Sequence, residues 1–376
     1  MTAGPRRHYG DPAGEYRMAV GGCGVVWRED RRLLRVHGRA PAQMLNGILT
    51  SRVPEPPVEE GAGGEGGREP GEAAGERASE PRGGLVGDAV YGTILTARGR
   101  MVTDLVTLWL GAGGEEGLGL SVATCGLEAV LGHFNRFLPP RLARVEDLGD
   151  RVGMLTVLGP EAGDVVAAVL GAAPAEGFVL LDGGPLGEQA DGEAGGALVA
   201  RAVEQVPSWD VWLPAAGMPA AWERLGEAGA APVGQAVWDT LRIEAGYPAF
   251  GTDMDETTIP VEAGLVERAF DHDKGCYTGQ EVIVRIRHRG RVNWHLRALR
   301  FGEAAARPGD QLFEAGGGKV RGRVTSVAQS PRFGQAIGLG YVRREVEPPA
   351  TLRLERGLGA AVGVELAEPR AAGSHR

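Results

Sequence analysis

Apolar positions recur in this chain with two periods, and the switches between them mark out its elements. Residues 1–17 are polar and predict no element. Cys23–Trp27 and Leu33–Val36 are short apolar runs around the charged stretch 28–32, a hairpin pattern. Ala40, Met44, Leu45, Ile48 and Leu49 fall at helical spacing and predict an amphipathic helix ending near Arg52. Val90–Leu95 and Met101–Leu110 flank the turn 96–100 as a second hairpin. Leu127, Val130, Leu131, Phe134 and Leu138 predict a helix closed by Pro139 and Pro140.

A strand at Val152–Leu158 follows, then a helix opened by Gly159 and Pro160 that runs to Leu170. Phe178–Leu181, Ala197–Val203 and Trp209–Leu213 read as strands, with a Gly-rich loop around 183–197. Helices begin at Pro219 and span Ala236–Glu244. From about Val292 the texture changes to short apolar runs at 296–299, 320–327, 336–342 and 350–354, punctuated by Gly and Pro. That pattern predicts a small all-β barrel. The order of elements gives α+β layers rather than a doubly wound sheet. No dinucleotide or Walker-type glycine motif sits at a strand-to-helix turn, so nucleotide cofactors have no support.

Residues 54–84 break the pattern. They are almost wholly Pro, Gly, Glu, Ala and Arg, with Val58 the one β-branched residue. Such a segment buries too little apolar area to offset its ordering entropy, so a disordered acidic insertion is expected there. An acidic docking segment is the functional alternative. The tail after Glu368 is also expected to be disordered.

Composition narrows the function classes. A formal charge of −9 argues against general nucleic-acid binding and makes any cationic site local. No uninterrupted apolar run reaches about eighteen residues and no apolar stretch follows the N-terminal Arg6, Arg7 and His8. Neither a membrane span nor a secretory signal is therefore expected, and a cytoplasmic location is the default. The three cysteines, Cys23, Cys125 and Cys276, are widely spaced and form no metal-ligand motif.

Candidate chemistry concentrates in residues 274–281, Lys-Gly-Cys-Tyr-Thr-Gly-Gln-Glu. Cys276 lies on a glycine-framed loop two residues from Lys274, and neighbouring positive charge favours the thiolate. From Val284 apolar and basic residues alternate, predicting a strand with Arg285, Arg287, Arg289 and Arg291 on one face. Against this, a single Cys is most often a small buried hydrophobe. Cys23 and Cys125 lie in or beside apolar runs and read as packing residues. Asp104 shares a strand face with Val102, Val106 and Leu108, where a carboxylate is costly unless paired or used. It is either a site residue or one satisfied by nearby backbone.

The octapeptide resembles the signature of the YgfZ family, folate-binding relatives of the glycine-cleavage T-protein associated with iron–sulfur protein maturation and repair. Residues 34–53, 96–104, 241–248, 260–264, 322–331 and 337–342 are similar to successive segments of the same superfamily. The resemblance implies a T-protein-like three-domain ring: two α+β domains and a C-terminal β-barrel around a central folate channel. The α+β region would span 18–292, interrupted by 54–84, and the barrel 293–368. It further implies tetrahydrofolate, or another reduced folate, as cofactor. Arg242 would contact the pterin or glutamate part of it, Asp210 would stand near a pterin-gripping Glu of T-proteins, and Tyr277 and Gln280 would be further cofactor contacts. Cys276, Lys274 and Asp104 are the candidate catalytic residues, with no resident metal.

Catalytic T-proteins carry paired acids where this chain has Thr103 and Asp104, and they lack the Lys-Gly-Cys signature. Both departures favour an accessory factor whose partners are iron–sulfur enzymes or cluster-assembly proteins, acting through Cys276. The alternative is a tetrahydrofolate-dependent aminomethyl or one-carbon transferase with Asp104 as acid/base.

Overall fold

The sequence folds into two β-sheet layers with flanking helices and a six-stranded closed barrel. The computed structural model describes residues 3–59, 84–181, 196–202, 206–314, 318–354 and 361–365. The insertion's residues 60–83, most of the 183–197 loop and the tail after Glu368 lie outside the described residues.

The five-stranded sheet is antiparallel. It carries Val90–Leu95 at one edge, then Met101–Trp109, Leu118–Ala123, Arg31–His37 and Arg144–Asp147. Helix Leu127–Phe137 packs Val130 and Phe134 into the core of this sheet. In the eight-stranded sheet, Gly24–Arg28, Val152–Leu158, Ser208–Pro214, Ala197–Ala202 and Phe178–Leu181 are successive neighbours. Helices Ala162–Leu170 and Met218–Glu227 cover it, burying Val166, Trp222 and Leu225. The barrel runs from Trp294–Gly302 to Ala361–Glu365 and encloses Leu299, Phe301, Leu312 and Val364. Its strands Gln311–Glu314 and Ala361–Glu365 are too short for the apolar pattern to separate from their Gly-rich surroundings.

Four expectations are corrected. The runs at 23–27 and 33–36 do not form a hairpin. Gly24–Arg28 pairs with Val152–Leu158, whereas Arg31–His37 pairs with Leu118–Ala123, so residues 29 and 30 cross from one sheet to the other. Residues 12–21 form a helix although their apolar period is weak. Asp11 caps it by accepting from the Gly14 amide, Pro12 stands in its first turn, and buried Glu15 accepts from the amides of Tyr9 and Gly234. At the insertion's start, Val58–Glu59 pairs with Leu85–Gly87, and the Pro54 carbonyl accepts from the Trp109 indole at 2.9 Å, so this end is pinned to the sheet.

The fourth correction concerns the cationic strand. Gln280–Arg289 is a helix. The alternation covers too few residues to outweigh Ile283, which is 2% exposed and packs with Leu95, Met101, Phe270 and Tyr277. Glu281 pairs with Arg285 at 2.8 Å one turn on. At 3.6 residues per turn, the basic side chains at 285 and 287 point to different sides rather than sharing one face.

Helix Gln235–Glu244 joins the bodies. Glu244 accepts from the hydroxyls of Tyr16 and Ser330, tying the N-terminal helix and the barrel to one carboxylate. No helix among the described residues is long and apolar enough to cross a membrane.

Candidate functional site

The sheet-to-sheet crossing at residues 29 and 30 opens a cavity of about 640 Å3, and Arg28, Asp30 and Arg31 line it. The five-stranded sheet contributes Tyr91 and Asp104, the eight-stranded sheet Asp210 and Trp212, and the joining helix Trp238 and Arg242. Three of the sequence-predicted residues, Asp104, Asp210 and Arg242, therefore meet at one cavity.

Asp104 is 6% exposed and doubly held. Arg31 donates to its Oδ1 at 2.9 Å and the Tyr91 hydroxyl to its Oδ2 at 3.2 Å. Tyr91 and Val106 form a register pair next to the pair of Thr93 and Asp104, so ring and carboxylate share one face of the hairpin. Burial and the neighbouring Asp104 charge push the Tyr91 hydroxyl pKa far up, so it stays a donor. Thr103, where T-proteins carry a second acid, is fully buried and donates its hydroxyl to backbone.

Asp210 accepts from Thr156 at 2.6 Å, with Arg28 farther off at 4.0 Å. Burial raises its pKa, opposed by Arg28 and the threonine hydrogen bond. Arg28 lies over the Trp238 ring at 4.1 Å and pairs with Asp30 at 2.7 Å. Arg242, although it lines the cavity, is bound in place: Asp239 accepts at 2.8 Å, Asp253 at 2.7 Å, and Ser326 of the barrel at 3.1 Å.

The octapeptide residues sit elsewhere. Lys274, Cys276, Tyr277 and Gln280 do not line the cavity. Their loop is stitched to residues 47–52 instead. The Thr278 amide donates to the Gly47 carbonyl, and the Lys274 ammonium donates to the carbonyls of Leu49 and Ser51, both at 2.7 Å. Tyr277 is buried edge-on against Phe270. Gln280 opens the helix after Gly279, whose φ of 83° and closeness to the Thr96 carbonyl leave no room for a side chain. Cys276 is exposed. The cations that the sequence set beside it are engaged elsewhere, Lys274 with the interior and Arg285 with Glu281.

Burial lowers the Lys274 pKa to about 8. A neutral amine still has the two N–H donors that the two carbonyls need. Lys274→Met strands both carbonyls and is expected to cost roughly 2–4 kcal/mol, read by urea denaturation at pH 7. Because the folded-state pKa lies below the ordinary 10.5, charging Lys274 opposes folding at neutral pH. That opposition lifts as pH rises from about 8 towards 10.5, so the wild type's advantage over the variant should widen across this window. A difference that shrinks there would contradict the assignment.

The cysteines also separate. Cys23 is buried, and burial pushes its thiol pKa up to about 12. Cys125 is not the packing residue its surroundings suggested: it is exposed, lines the cavity, and lies 3.5 Å from the Phe250 carbonyl. Timed alkylation of the native protein should label Cys125 and Cys276 and spare Cys23. Equal labelling of all three would contradict this packing. Among the described residues, no cluster of His, Cys, Asp and Glu could hold a metal ion.

Sequence reasoning missed Arg28, Arg31, Tyr91, Thr156 and Arg268. One available signal was the run Arg28-Glu29-Asp30-Arg31, four charges between two buried strands.

Two α+β bodies and a barrel, with aspartates and arginines lining one cavity, define a three-domain protein with a charged internal cavity. The domain family described as GCVT N-terminal domain matches residues 82–274, and the glycine cleavage T-protein C-terminal barrel domain matches 292–369. An aminomethyltransferase of Rubrobacter xylanophilus is 34% identical over 69% of this chain and 68% of its own length. One from Corynebacterium jeikeium is 30% identical over 69% and 70%. The crystal structure of the glycine cleavage system aminomethyltransferase T from Bartonella henselae superposes with a TM-score of 0.73 at 20% identity, covering 96% of this chain and 90% of that one. The chain belongs to the glycine-cleavage T-protein family. Members of this family bind tetrahydrofolate as substrate or cofactor.

Proposed function

We propose that the protein binds a reduced folate in the central cavity and transfers a one-carbon unit to or from it. The observation that carries this reading is Asp104, a buried carboxylate held by Arg31 and Tyr91 at the cavity wall. The donor set suits a folate. Asp210 is a half-buried carboxylate whose Oδ1 is held by Thr156, and it can offer two acceptors to the amino-pyrimidinone edge of a pterin. Trp212, Tyr91 and Phe250 supply apolar walls for a flat bicycle. The folate would supply the amine that receives or releases the carbon. When positive charge develops on a migrating one-carbon unit, Asp104 offsets it and can take the proton that an amine releases.

Tyr91 and Arg31 would keep that carboxylate oriented. Each Asp104 oxygen keeps a lone pair beyond the one that its protein partner uses, so this task does not require breaking the pair. The test is methylenetetrahydrofolate formation by the purified protein with tetrahydrofolate and the glycine-cleavage partner proteins. Turnover that depends on protein supports the reading; a flat signal with active partners contradicts it.

A second reading is favoured by one observation, the exposure of Cys276 on a loop fixed to the body but outside the cavity. One-carbon transfer at Asp104 gives this thiol no task. In that reading the protein serves iron–sulfur enzymes or cluster-assembly proteins, with Cys276 meeting the partner. Activity of cluster-containing enzymes in cells lacking the protein, complemented with wild type or Cys276→Ser, separates the two. Full rescue by Cys276→Ser would remove the second reading.

A further inference from the structure

Five arginines line the cavity: Arg28, Arg31, Arg201, Arg242 and Arg268. Three are matched by aspartates, Arg28 with Asp30 at 2.7 Å, Arg31 with Asp104 at 2.9 Å and Arg242 with Asp253 at 2.7 Å. Arg201 donates to the Ser208 carbonyl at 2.8 Å and stacks on Trp209. Arg268 differs from all four. Its guanidinium lies 4.8 Å from the Tyr91 ring centre and 4.1 Å from that of Tyr247, and no side-chain hydrogen bond or ion pair engages it among the described residues.

We propose that Arg268 is a carboxylate-binding subsite of this cavity. Both rings lie within cation–π distance of the guanidinium and hold it in place, while no side-chain acceptor takes its N–H donors among the described residues. A fork held in this way loses little freedom when a carboxylate docks, and two parallel N–H···O bonds fit that group. Arg31 already pairs with Asp104, and no carboxylate pairs with Arg268 among the described residues. Tyr91 links the two places, stacking on Arg268 while its hydroxyl holds Asp104. A ligand carboxylate at Arg268 would therefore lie within one side chain of the proposed reacting position. The inference rests on the reading of this cavity as the ligand site.

The carboxylate has two possible sources, the glutamyl end of a folate and the acid group of a small amino-acid co-substrate. Calorimetric titration of the full chain distinguishes them with three probes: 5-formyltetrahydrofolate, the matching tetrahydropteroyl amide, in which a carboxamide replaces the glutamyl group and no acid remains, and N-methylglycine. Arg268→Gln should weaken a carboxylate-dependent probe roughly tenfold to a hundredfold. It should leave the tetrahydropteroyl amide unchanged, and Arg268→Lys should restore part of the loss.

A loss confined to 5-formyltetrahydrofolate assigns the glutamyl end. A loss confined to N-methylglycine assigns the co-substrate. Equal affinities for every probe in wild type and Arg268→Gln would overturn the subsite. So would an equal loss with the tetrahydropteroyl amide, because Arg268 would then only prop Tyr91 and Tyr247. If the wild type binds neither folate probe, the folate reading fails while the N-methylglycine arm still decides the subsite: a loss in Arg268→Gln supports it, and no binding or an unchanged affinity overturns it. Should Arg268→Gln fold poorly, Arg268→Lys against wild type carries the same comparison, with the charge kept and the planar fork removed.

Discussion

Asp104→Asn is expected to lower one-carbon transfer by roughly 10²- to 10⁴-fold, the range that a positioned acid or base contributes. The amide nearly preserves the shape, so Tyr91 can still donate to its oxygen. It cannot take a proton or carry the charge that faces a developing cation. It also leaves Arg31 without its carboxylate, and the Ser121 carbonyl that Arg31 also engages does not replace that charge. Some loss of stability is therefore expected as well, and activity must be compared at a temperature where both proteins are folded. The discriminating readout is kcat at saturating tetrahydrofolate. A variant that changes KM alone would make Asp104 a binding residue rather than an acid/base.

The largest stability effect should come from Asp253→Ala. Asp253 has no exposed side-chain surface and accepts from Arg242, the Ala249 amide and the hydroxyls of Thr325 and Ser326. It joins the end of helix Gln235–Glu244 to the long barrel strand Val320–Ser330, so it locks two of the three bodies together. Its removal leaves a buried guanidinium with only Asp239 as carboxylate partner, at the half-exposed side of the pair. Breaking one side of a buried ion pair costs about 3–5 kcal/mol. The midpoint of urea denaturation should fall accordingly with little change in slope. A loss below about 1 kcal/mol, the range of an exposed pair, would show that the barrel is held by its apolar contacts alone.

Much of this fold was legible because long apolar runs fix their own period. The strand Val152–Leu158 and the helix Leu127–Phe137 follow directly from spacing. Where the signal was local and short, tertiary contacts decided. The short alternation from Val284 lost to one buried isoleucine and the packing of its neighbours, and a strand became a helix. The pair of runs at 23–36 had the texture of a hairpin, but the choice of partner strand is a long-range property that two adjacent runs do not encode.

The site divides in the same way. Asp104 was visible as a carboxylate in an apolar stripe, and Asp210 and Arg242 through the resemblance of their segments. Arg31, Tyr91 and Arg268 were not visible, because strand register and the docking of the short helix Val266–Ala269 bring them together. The octapeptide was the most conspicuous stretch, yet part of what makes it so is structural. Lys274 caps two buried carbonyls, and Gly279 makes a left-handed turn against Thr96.

The central claim is that the Asp104–Asp210 cavity is the folate site. Isothermal titration with tetrahydrofolate under anaerobic conditions tests it most directly, with wild type, Asp210→Ala and Cys276→Ser measured side by side. Saturable binding at one site per chain is expected for the wild type, with the same affinity in Cys276→Ser. Asp210→Ala should bind at least tenfold more weakly, about the value of one charge-assisted hydrogen bond. Wild-type binding should also weaken on acidification at a pH above the usual carboxylate range, because burial raises the Asp210 pKa and the ionised form is the acceptor. Absence of saturable binding, or an affinity that Cys276→Ser lowers and Asp210→Ala leaves intact, would contradict the account.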